Sequence, residues 1–281
     1  LRNTKSQCNF VMRLWYIFFN VNTVKIASWN VNSVRSRITN ILDWLKIENP
    51  DILCLQETKV VDKDFPISSF EEIGYNLKIH GQKSYNGVAV LSKYLIEETY
   101  KGIPDYSDEQ ARYIETVHST DIGMVRLANI YLPNGNPAPG PKYDYKLEWM
   151  RKLKSHLENT LLNEEIFIVL GDFNVIPEES DVHNPEAWKD DALFKIETKK
   201  AYREILSLGF LDSFRQFNTD AGNYTFWDYQ RGAWQRNNGI RIDHILTSPL
   251  ATDRMKNVYI DKTVRDKEKP SDHVPIIIEI E

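Results

Sequence analysis

Residues 166–174 read Ile-Phe-Ile-Val-Leu-Gly-Asp-Phe-Asn, and this stretch decides the fold. Five strand-forming residues in a row predict a buried strand in a sheet that is covered on both faces. Gly171 then allows the backbone to turn, and a carboxylate and an amide follow at Asp172 and Asn174. Because an open α/β sheet binds its ligands at the carboxyl ends of its strands, the segment marks a candidate site. An ordinary Asp-Asn turn is the simpler interpretation of these four residues by themselves.

Length and composition limit the classes of protein to which the chain can belong. Its 281 residues, 42% of them hydrophobic and 27% charged, suit one large globular α/β domain or two small ones. Lys and Arg total 35 against 40 Asp and Glu, and the net charge of -5 argues against nucleic-acid binding by bulk charge. Two cysteines, Cys8 and Cys54, exclude a disulfide framework and favour a reducing, cytoplasmic setting.

The regular pattern of strands and helices begins at Val24. Residues 1–23 are predicted to be an N-terminal extension, either disordered or not native, and residues 24–281 to form the domain. The apolar run 11–19 is too short to span a bilayer, and no signal-peptide cleavage site follows it, so no membrane contact is expected. One hypothesis is that translation starts at Val24 from a non-standard codon.

The hydrophobic periodicity predicts one mixed α/β domain. A strand at 24–29, a helix that ends before Pro50 and a strand at 52–55 form a βαβ-like unit. Two amphipathic helices each precede an apolar strand, and acidic residues, Glu57 and Asp172, end those two strands. The other predicted helices lie at 147–161 and 199–208, and the other predicted strands lie at 87–91, 113–117, 125–131, 166–170, 240–246 and 274–280.

Polar residues lie next to several predicted strands. Asn30, Asn32, Glu57, Asp172 and Asn174 follow strands, Asp243 lies in an apolar run, and Asp272 and His273 precede the last strand. Hard cations such as Mg²⁺ prefer carboxylate, amide and water oxygens, and the scarcity of cysteine argues against a structural zinc site. Each residue also has an ordinary interpretation. Asn30 suits a helix cap, and Glu57 suits a surface charge. Asp243 is also a candidate ion-pair partner of Arg241 or Arg254.

Seven blocks in order resemble the exonuclease III family of apurinic/apyrimidinic endonucleases: WNVNS (29–33), LQETK (55–59), YNGVAV (85–90), NIYLPNG (129–135), GDFNV (171–175), RIDH (241–244) and SDHVP (271–275). The resemblance extends from Val24 to the end of the chain, and residues 133–147 resemble the bacterial branch. It implies a four-layer α/β sandwich of the deoxyribonuclease I type, in which two packed mixed β-sheets are flanked by helices.

The resemblance also implies a metal site. Glu57 and Asn30 would hold Mg²⁺, with Asp272 nearby, and Mn²⁺ would substitute for Mg²⁺. The wider set of implied metal ligands adds Asp172, Asn174 and His273.

The implied catalytic residues are Tyr131, Asp172, Asn174, Asp243 and His273. Asp172 would orient and deprotonate the attacking water, and Asn174 would fix Asp172 and donate to the phosphate. His273 would donate to a phosphate oxygen while Asp243 holds its imidazole, and Tyr131 would reach the phosphate or the leaving oxygen. These roles match what phosphodiester hydrolysis requires, since it needs a nucleophile, neutralised phosphate charge and a stabilised leaving alkoxide.

The implied substrate is double-stranded DNA with abasic sites or 3′ ends. Phe226, Ile240 and Ile242 resemble the family's apolar pocket for an extruded abasic sugar, although plain core packing is an alternative for them. Ile240 departs from the tryptophan of some eukaryotic relatives, and Asn32 from the aspartate of some others. Candidate contacts to the DNA backbone are Arg35, Lys59, Lys83, Arg112 and Lys142, with Arg37, Arg231 and Arg236 as further candidates.

The expected function is that of a Mg²⁺-dependent phosphodiesterase of base excision repair, cytoplasmic and monomeric. It would incise DNA 5′ to abasic sites and trim DNA from 3′ ends. One alternative is a phosphatase or phosphodiesterase of the same superfamily that acts on inositol phosphates or sphingomyelin. A second alternative is a non-catalytic DNA-binding relative, which would lack at least one of the catalytic groups.

Overall fold

The computed structural model describes residues 22–281. These residues contain twelve strands and seven α-helices. The strands are β1 (Val24–Asn30), β2 (Ile52–Gln56), β3 (Asn76–His80), β4 (Val88–Ser92), β5 (Leu95–Lys101), β6 (Tyr113–Thr120), β7 (Gly123–Tyr131), β8 (Ile166–Asp172), β9 (Leu211–Asp212), β10 (Asp243–Thr247), β11 (Met255–Ile260) and β12 (Ile276–Ile280). The helices are α1 (Ile38–Glu48), α2 (Ile67–Glu71), α3 (Pro141–Leu161), α4 (Pro185–Trp188), α5 (Ile196–Leu206), α6 (Ser213–Phe217) and α7 (Pro249–Thr252).

The strands form two six-stranded sheets, each built around one parallel pair. The first sheet has the order β11-β12-β1-β2-β4-β3, and the second has the order β5-β6-β7-β8-β10-β9. In the first sheet β1 and β2 are parallel, and in the second β7 and β8 are parallel. Helix α1 connects the first pair and helix α3 connects the second, so the predicted βαβ-like unit occurs twice.

Alternation along the central strands explains the four layers. From β1, Ile26 faces the space between the sheets and belongs to one buried cluster with Ile168 and Leu170 of β8. Trp29, three residues further along β1, faces outward, and its ring meets that of Trp44 of α1 edge to face at 5.6 Å. On the outer side of the second sheet, residues of β7 and β8 pack with α3 and α5. The predicted four-layer sandwich of two mixed sheets is therefore confirmed.

The predicted elements differ from the observed ones mainly at polar edges. β3, β5 and β11 were absent from the prediction, because these strands expose many of their side chains and lack an apolar run. Helix α3 begins at Pro141 rather than 147, since proline suits the first helical turn. The strand predicted at 240–246 is β10, which starts only at Asp243. Among the described residues, no helix is both long and apolar enough to cross a membrane. The predicted extension at 1–23 lies outside the described residues except for Asn22 and Thr23.

A buried ion-pair network holds the loop before β10. The Arg241 guanidinium is fully buried and donates from Nε to Asp181 Oδ1 at 2.7 Å and from Nη2 to Oδ2 at 3.0 Å. A second carboxylate, Asp212, lies 2.8 Å from Nη2. Burial raises the pKa of Asp181, but Arg241 outweighs burial and holds that pKa below its usual value. The alternative that Arg241 pairs with Asp243 is therefore wrong.

We expect Arg241→Leu to destabilise the fold by about 3–5 kcal/mol, because it leaves the Asp212 carboxylate without its cation and leaves the buried Asp181 carboxylate with Arg215 alone. The pKa values of Asp181 and Asp212 are lowered in the folded chain, so this stabilisation is present above their unfolded pKa of about 4 and is lost as pH falls through the folded values. The difference in the free energy of unfolding between the wild type and Arg241→Leu should therefore become smaller in acid. Urea denaturation at pH 7 and below pH 4 measures it.

Arg203→Leu is the matched control, because the Arg203–Glu178 pair is more than half exposed and should contribute at most about 1 kcal/mol. Equal stability of the two variants at pH 7 would contradict the assignment of the Arg241 network.

Candidate active site

The candidate site forms where the two parallel pairs end. Asn30 ends β1 and Glu57 follows β2, while Tyr131 ends β7 and Asp172 ends β8. The Asn30 amide nitrogen donates to Glu57 Oε1 and to Asp172 Oδ2, both at 2.9 Å. One amide of the first sheet therefore fixes a carboxylate of each sheet, and the alternative role of Asn30 as a helix cap is wrong, since α1 is preceded by Arg37.

The segment after β8 is both a turn and part of the site. The Asn174 backbone N–H donates to Asp172 Oδ1 at 2.9 Å, and Asn174 has a left-handed φ of 48°. A Cβ on Gly171 would lie 2.0 Å from the carbonyl oxygen of Ile130, so only glycine allows β8 to approach β7 here. The strand geometry thus ends at Asp172, and the turn, not the pleat, brings the two side chains into one cleft.

His273 is held by Asp243, its partner on β10. Asp243 Oδ2 lies 2.8 Å from His273 Nδ1, and Asp243 Oδ1 is buried without a hydrogen-bond partner among the described residues. Burial lowers the pKa of His273, but the Asp243 and Asp172 carboxylates outweigh burial and raise it to about 10. His273 is therefore an imidazolium at neutral pH, and its Nε2 lies 3.8 Å from Asp172 Oδ2.

Asp172 is 1% exposed, and its surroundings raise its pKa above the usual value. Burial is the largest cause, His273 opposes it, and two neighbouring carboxylates add to it. Glu57 has the opposite balance. Burial raises its pKa, but the Lys59 ammonium, 2.8 Å from Glu57 Oε2, lowers it below the usual value. The raised pKa of Asp172 suits a proton acceptor, and the lowered pKa of Glu57 suits a carboxylate that stays ionised.

The donor set fits a hard divalent cation. Ligand atoms of Glu57, Asp172 and His273 lie within 4.8 Å of one another, and the two carboxylates are the ligands among them, since an imidazolium is a donor at both nitrogens. The predicted ligands Asn174 and Asp272 line the same cleft. Lys59 balances the charge of Glu57, and His273 balances that of Asp243. The negative charge of Asp172 is then left without a cation of its own beside the oxygen donors. That arrangement suits Mg²⁺, which binds one or two carboxylates and keeps several waters.

Tyr131 supplies a neutral hydroxyl. Burial raises its pKa well above 10, and Glu57 and Asp172 raise it further, so the phenol remains a proton donor. Arg112 lies over the Tyr131 ring at 4.8 Å and donates to its carbonyl oxygen at 3.2 Å. Arg112 and Lys59 are thus the predicted DNA-contacting cations that touch the site directly.

The cleft has a volume of about 200 Å³ and one apolar wall. Phe226 stands in this wall with its ring edge-on to His273 at 4.9 Å, and it is half-buried. Ile240 and Ile242 are 1% and 3% exposed, so they support the wall mostly from within the core. Of the other predicted cations, Arg35, Lys83 and Lys142 are exposed, and neither they nor Arg37, Arg231 and Arg236 line the cleft.

Sequence reasoning missed part of the cleft, namely Asn134, Asn136, Trp188, Asp191 and Leu193, together with Lys146 beneath it. Asn134 lies inside the NIYLPNG block, where its amide was a usable signal. Trp188 lies on the short helix α4, for which the sequence shows no periodicity. Lys146 lies on α3 beside the apolar positions, and burial lowers its pKa to about 7 against the opposing effects of Asp172 and Asp191.

Two stacked mixed sheets with a carboxylate, amide and histidine site at their shared edge define the class of endonucleases, exonucleases and phosphatases. The model of the Endonuclease/Exonuclease/phosphatase family matches residues 27–273. The chain is 33% identical to the exodeoxyribonuclease III of Haemophilus influenzae over 262 residues, which cover 90% of this chain and 98% of that protein. The chain belongs to this family, and the predicted exonuclease III type of enzyme is confirmed.

Solved structures agree with this assignment. A 3′ phosphatase from Neisseria, NExo, bound to a product DNA hairpin, superposes with a TM-score of 0.88 at 35% identity, over 92% of this chain and 99% of that one. An AP endonuclease from Archaeoglobus fulgidus superposes with a TM-score of 0.86 at 39% identity, over 91% of this chain and 98% of that one. The exodeoxyribonuclease of Bacillus subtilis is 33% identical over 258 residues, 90% of this chain and 98% of that protein.

We expect Asp243→Asn to lower the pKa of the His273 imidazole, because it removes the carboxylate that raises it most. The folded pKa of about 10 exceeds the unfolded value of about 6.5, so the pair stabilises the fold fully below pH 6.5 and loses that effect as pH rises through 10. NMR titration of the imidazole resonances without divalent cations measures the change. His118, with a pKa lowered to about 4 by burial between the sheets, serves as the internal control. An unchanged His273 titration would contradict the assignment.

Proposed function

We propose that the chain is a Mg²⁺-dependent nuclease of DNA repair that incises duplex DNA 5′ to abasic sites and trims DNA from 3′ ends. The observation that carries the proposal is the contact of Asp172 with both halves of the site. It accepts from Asn30 at 2.9 Å and faces the His273 imidazolium at 3.8 Å. A proton acceptor and a cationic donor therefore share one cleft of phosphate size.

The side chains divide the work of hydrolysis. Asp172, whose pKa is raised, takes the proton of the attacking water, and the Asn174 backbone N–H keeps the carboxylate oriented. His273 donates from Nε2 to a non-bridging phosphate oxygen, and Asp243 preserves its charge. Tyr131 stands as a neutral donor for the phosphate or the leaving oxygen.

Mg²⁺, when bound by Glu57 and Asn30 with Asp272 nearby, would supply phosphate charge neutralisation and stabilise the leaving alkoxide. Asn30 is oriented for this role through its oxygen, which already accepts the backbone N–H of Asn32 at 3.0 Å. Asp272 accepts from the Asn32 amide at 3.0 Å. The outer side of the proposed metal site is therefore joined by hydrogen bonds through Asn32.

The relatives' names support DNA as the substrate, since they include exodeoxyribonuclease III and AP endonuclease. The apolar wall at Phe226 suits a sugar without a base, since it offers no hydrogen-bonding group to a nucleobase edge. A 3′ end and an abasic site present the same phosphodiester to the site, which supports both activities. A cytoplasmic location and a monomeric state stay predictions.

The test is incision of a duplex that carries one tetrahydrofuran abasic analogue. We expect cleavage 5′ to the analogue, with a 3′-hydroxyl product, in the presence of Mg²⁺ or Mn²⁺, and no cleavage with chelator. The same preparation is assayed on an inositol phosphate and on sphingomyelin. Turnover of either without DNA incision would replace this function with that of another superfamily member. Binding of DNA without any turnover would indicate a non-catalytic relative.

Asp172→Asn should reduce incision by about 10²- to 10⁴-fold and leave DNA binding in place, because it removes the general base without changing side-chain size. Single-turnover incision and a gel-shift assay measure the two effects. Asp121→Asn is the control, since Asp121 is exposed in the β6–β7 hairpin, at the opposite end of β7 from Tyr131. Undiminished incision by Asp172→Asn would show that another group accepts the proton.

A further inference from the structure

Lys146 is a buried cation that the mechanism above does not use. It lies on α3, is 0% exposed, and its side chain faces the loops beneath the cleft. Its Nζ donates to the carbonyl oxygen of Asn174 at 2.6 Å and to that of Asn134 at 3.1 Å. Lysine is rarely buried unless its hydrogen bonds are satisfied, so these two contacts account for its position.

The loop over Lys146 is shaped around its side chain. A Cβ on Gly135 would lie 2.6 Å from Lys146 Cδ, and Gly135 has a left-handed φ of 89°. Gly135 therefore packs directly on the lysine stem. Both the ammonium and the neutral amine donate two hydrogen bonds, so the contact does not depend on the protonation of Lys146.

The two carbonyls belong to residues whose amides face the cleft. Asn134 Nδ2 donates to Asn174 Oδ1 at 3.2 Å, and the Asn174 N–H donates to Asp172 Oδ1 at 2.9 Å. A continuous path of hydrogen bonds thus runs from Lys146 through Asn174 to the Asp172 carboxylate. We propose that Lys146 is a positioning residue that ties the loop after β7 to the turn after β8 and thereby fixes the orientation of Asp172 for the proposed nuclease reaction.

The first test compares Lys146→Met with the wild type in abasic-site incision. Methionine keeps the length of the stem but removes both donors. A misplaced catalytic group costs about 100-fold, so we expect kcat to fall by that order while KM for DNA stays within a few-fold. Lys146→Arg should recover part of the lost kcat, because it restores donors at the same place.

Leu153→Ala is the matched control for lost stability. Leu153 is also buried on α3, but it packs in the cluster between that helix and the second sheet. Assayed below both melting temperatures, Leu153→Ala should lower Tm and leave kcat unchanged. A Lys146→Met variant that loses Tm but retains kcat would overturn the proposal, because the lysine would then act on stability alone.

A double-mutant cycle with Asp172→Asn tests the path, since the path passes through the backbone of Asn174 and ends at the Asp172 carboxylate. If Lys146 acts by orienting Asp172, the double variant should be no slower than Asp172→Asn alone, whereas independent effects would multiply. Multiplication of the two effects would overturn the path to Asp172.

A measurement without substrate separates this proposal from the proposed function. Hydrogen exchange of residues 132–137 and 173–176 should accelerate in Lys146→Met and not in Leu153→Ala. Unchanged exchange would overturn the positioning role, whatever the activity. A wild-type chain that fails to incise DNA would overturn the proposed function but leave the exchange result as a direct measure of what Lys146 holds.

Discussion

The Asn30 amide binds two carboxylates that belong to different sheets, so it fixes their positions relative to each other. It donates to Glu57 and to Asp172 from one nitrogen, so the gap between the sheets is fixed at the point where the chemistry takes place. A buried polar contact lies below it. Asn129 of β7 donates to two carbonyls of the first sheet and accepts from the Gln56 amide at 2.8 Å. An apolar interface alone is non-directional, so these bonds supply the register that packing leaves open.

Because the carboxylates of the site lie close together, their negative charges have to be balanced. Glu57, Asp172 and Asp243 gather in and beneath a largely buried cleft, where unpaired carboxylates would be costly. Lys59 neutralises one and His273 another, which leaves Asp172 as the group whose pKa rises. The raised pKa of Asp172 therefore comes first from burial and then from the neighbouring carboxylates, Asp243 and Glu57. Adding a permanent cation beside Asp172 would stabilise the fold and weaken the base, a conflict typical of active sites.

Much of this arrangement was predictable because its signals are local. Apolar runs identify β2 and β8, and Glu57, Asp172 and Asn174 end or follow these runs within two positions. The edge strands β3, β5 and β11 were missed because partly exposed strands lack that run. The role of Lys146 and the partners of Arg241 were missed for a different reason. Their partners are backbone carbonyls 12 and 28 residues away and a carboxylate 60 residues away, which no local pattern encodes.

Backbone strain at the site has a structural cause of its own. Asn32, Glu57 and Lys59 all have positive φ, a conformation that costs about 1–3 kcal/mol per non-glycine residue. They persist because the loops after β1 and β2 continue the parallel ladder, with Ser33 N–H donating to the carbonyl of Glu57 at 2.7 Å and Val34 N–H to that of Thr58 at 3.2 Å. The paired strands thus force their own extensions into a shape that neither loop would hold alone. That shape turns Glu57 toward Asn30 before any ligand arrives, so the reorganisation is completed during folding rather than during the reaction.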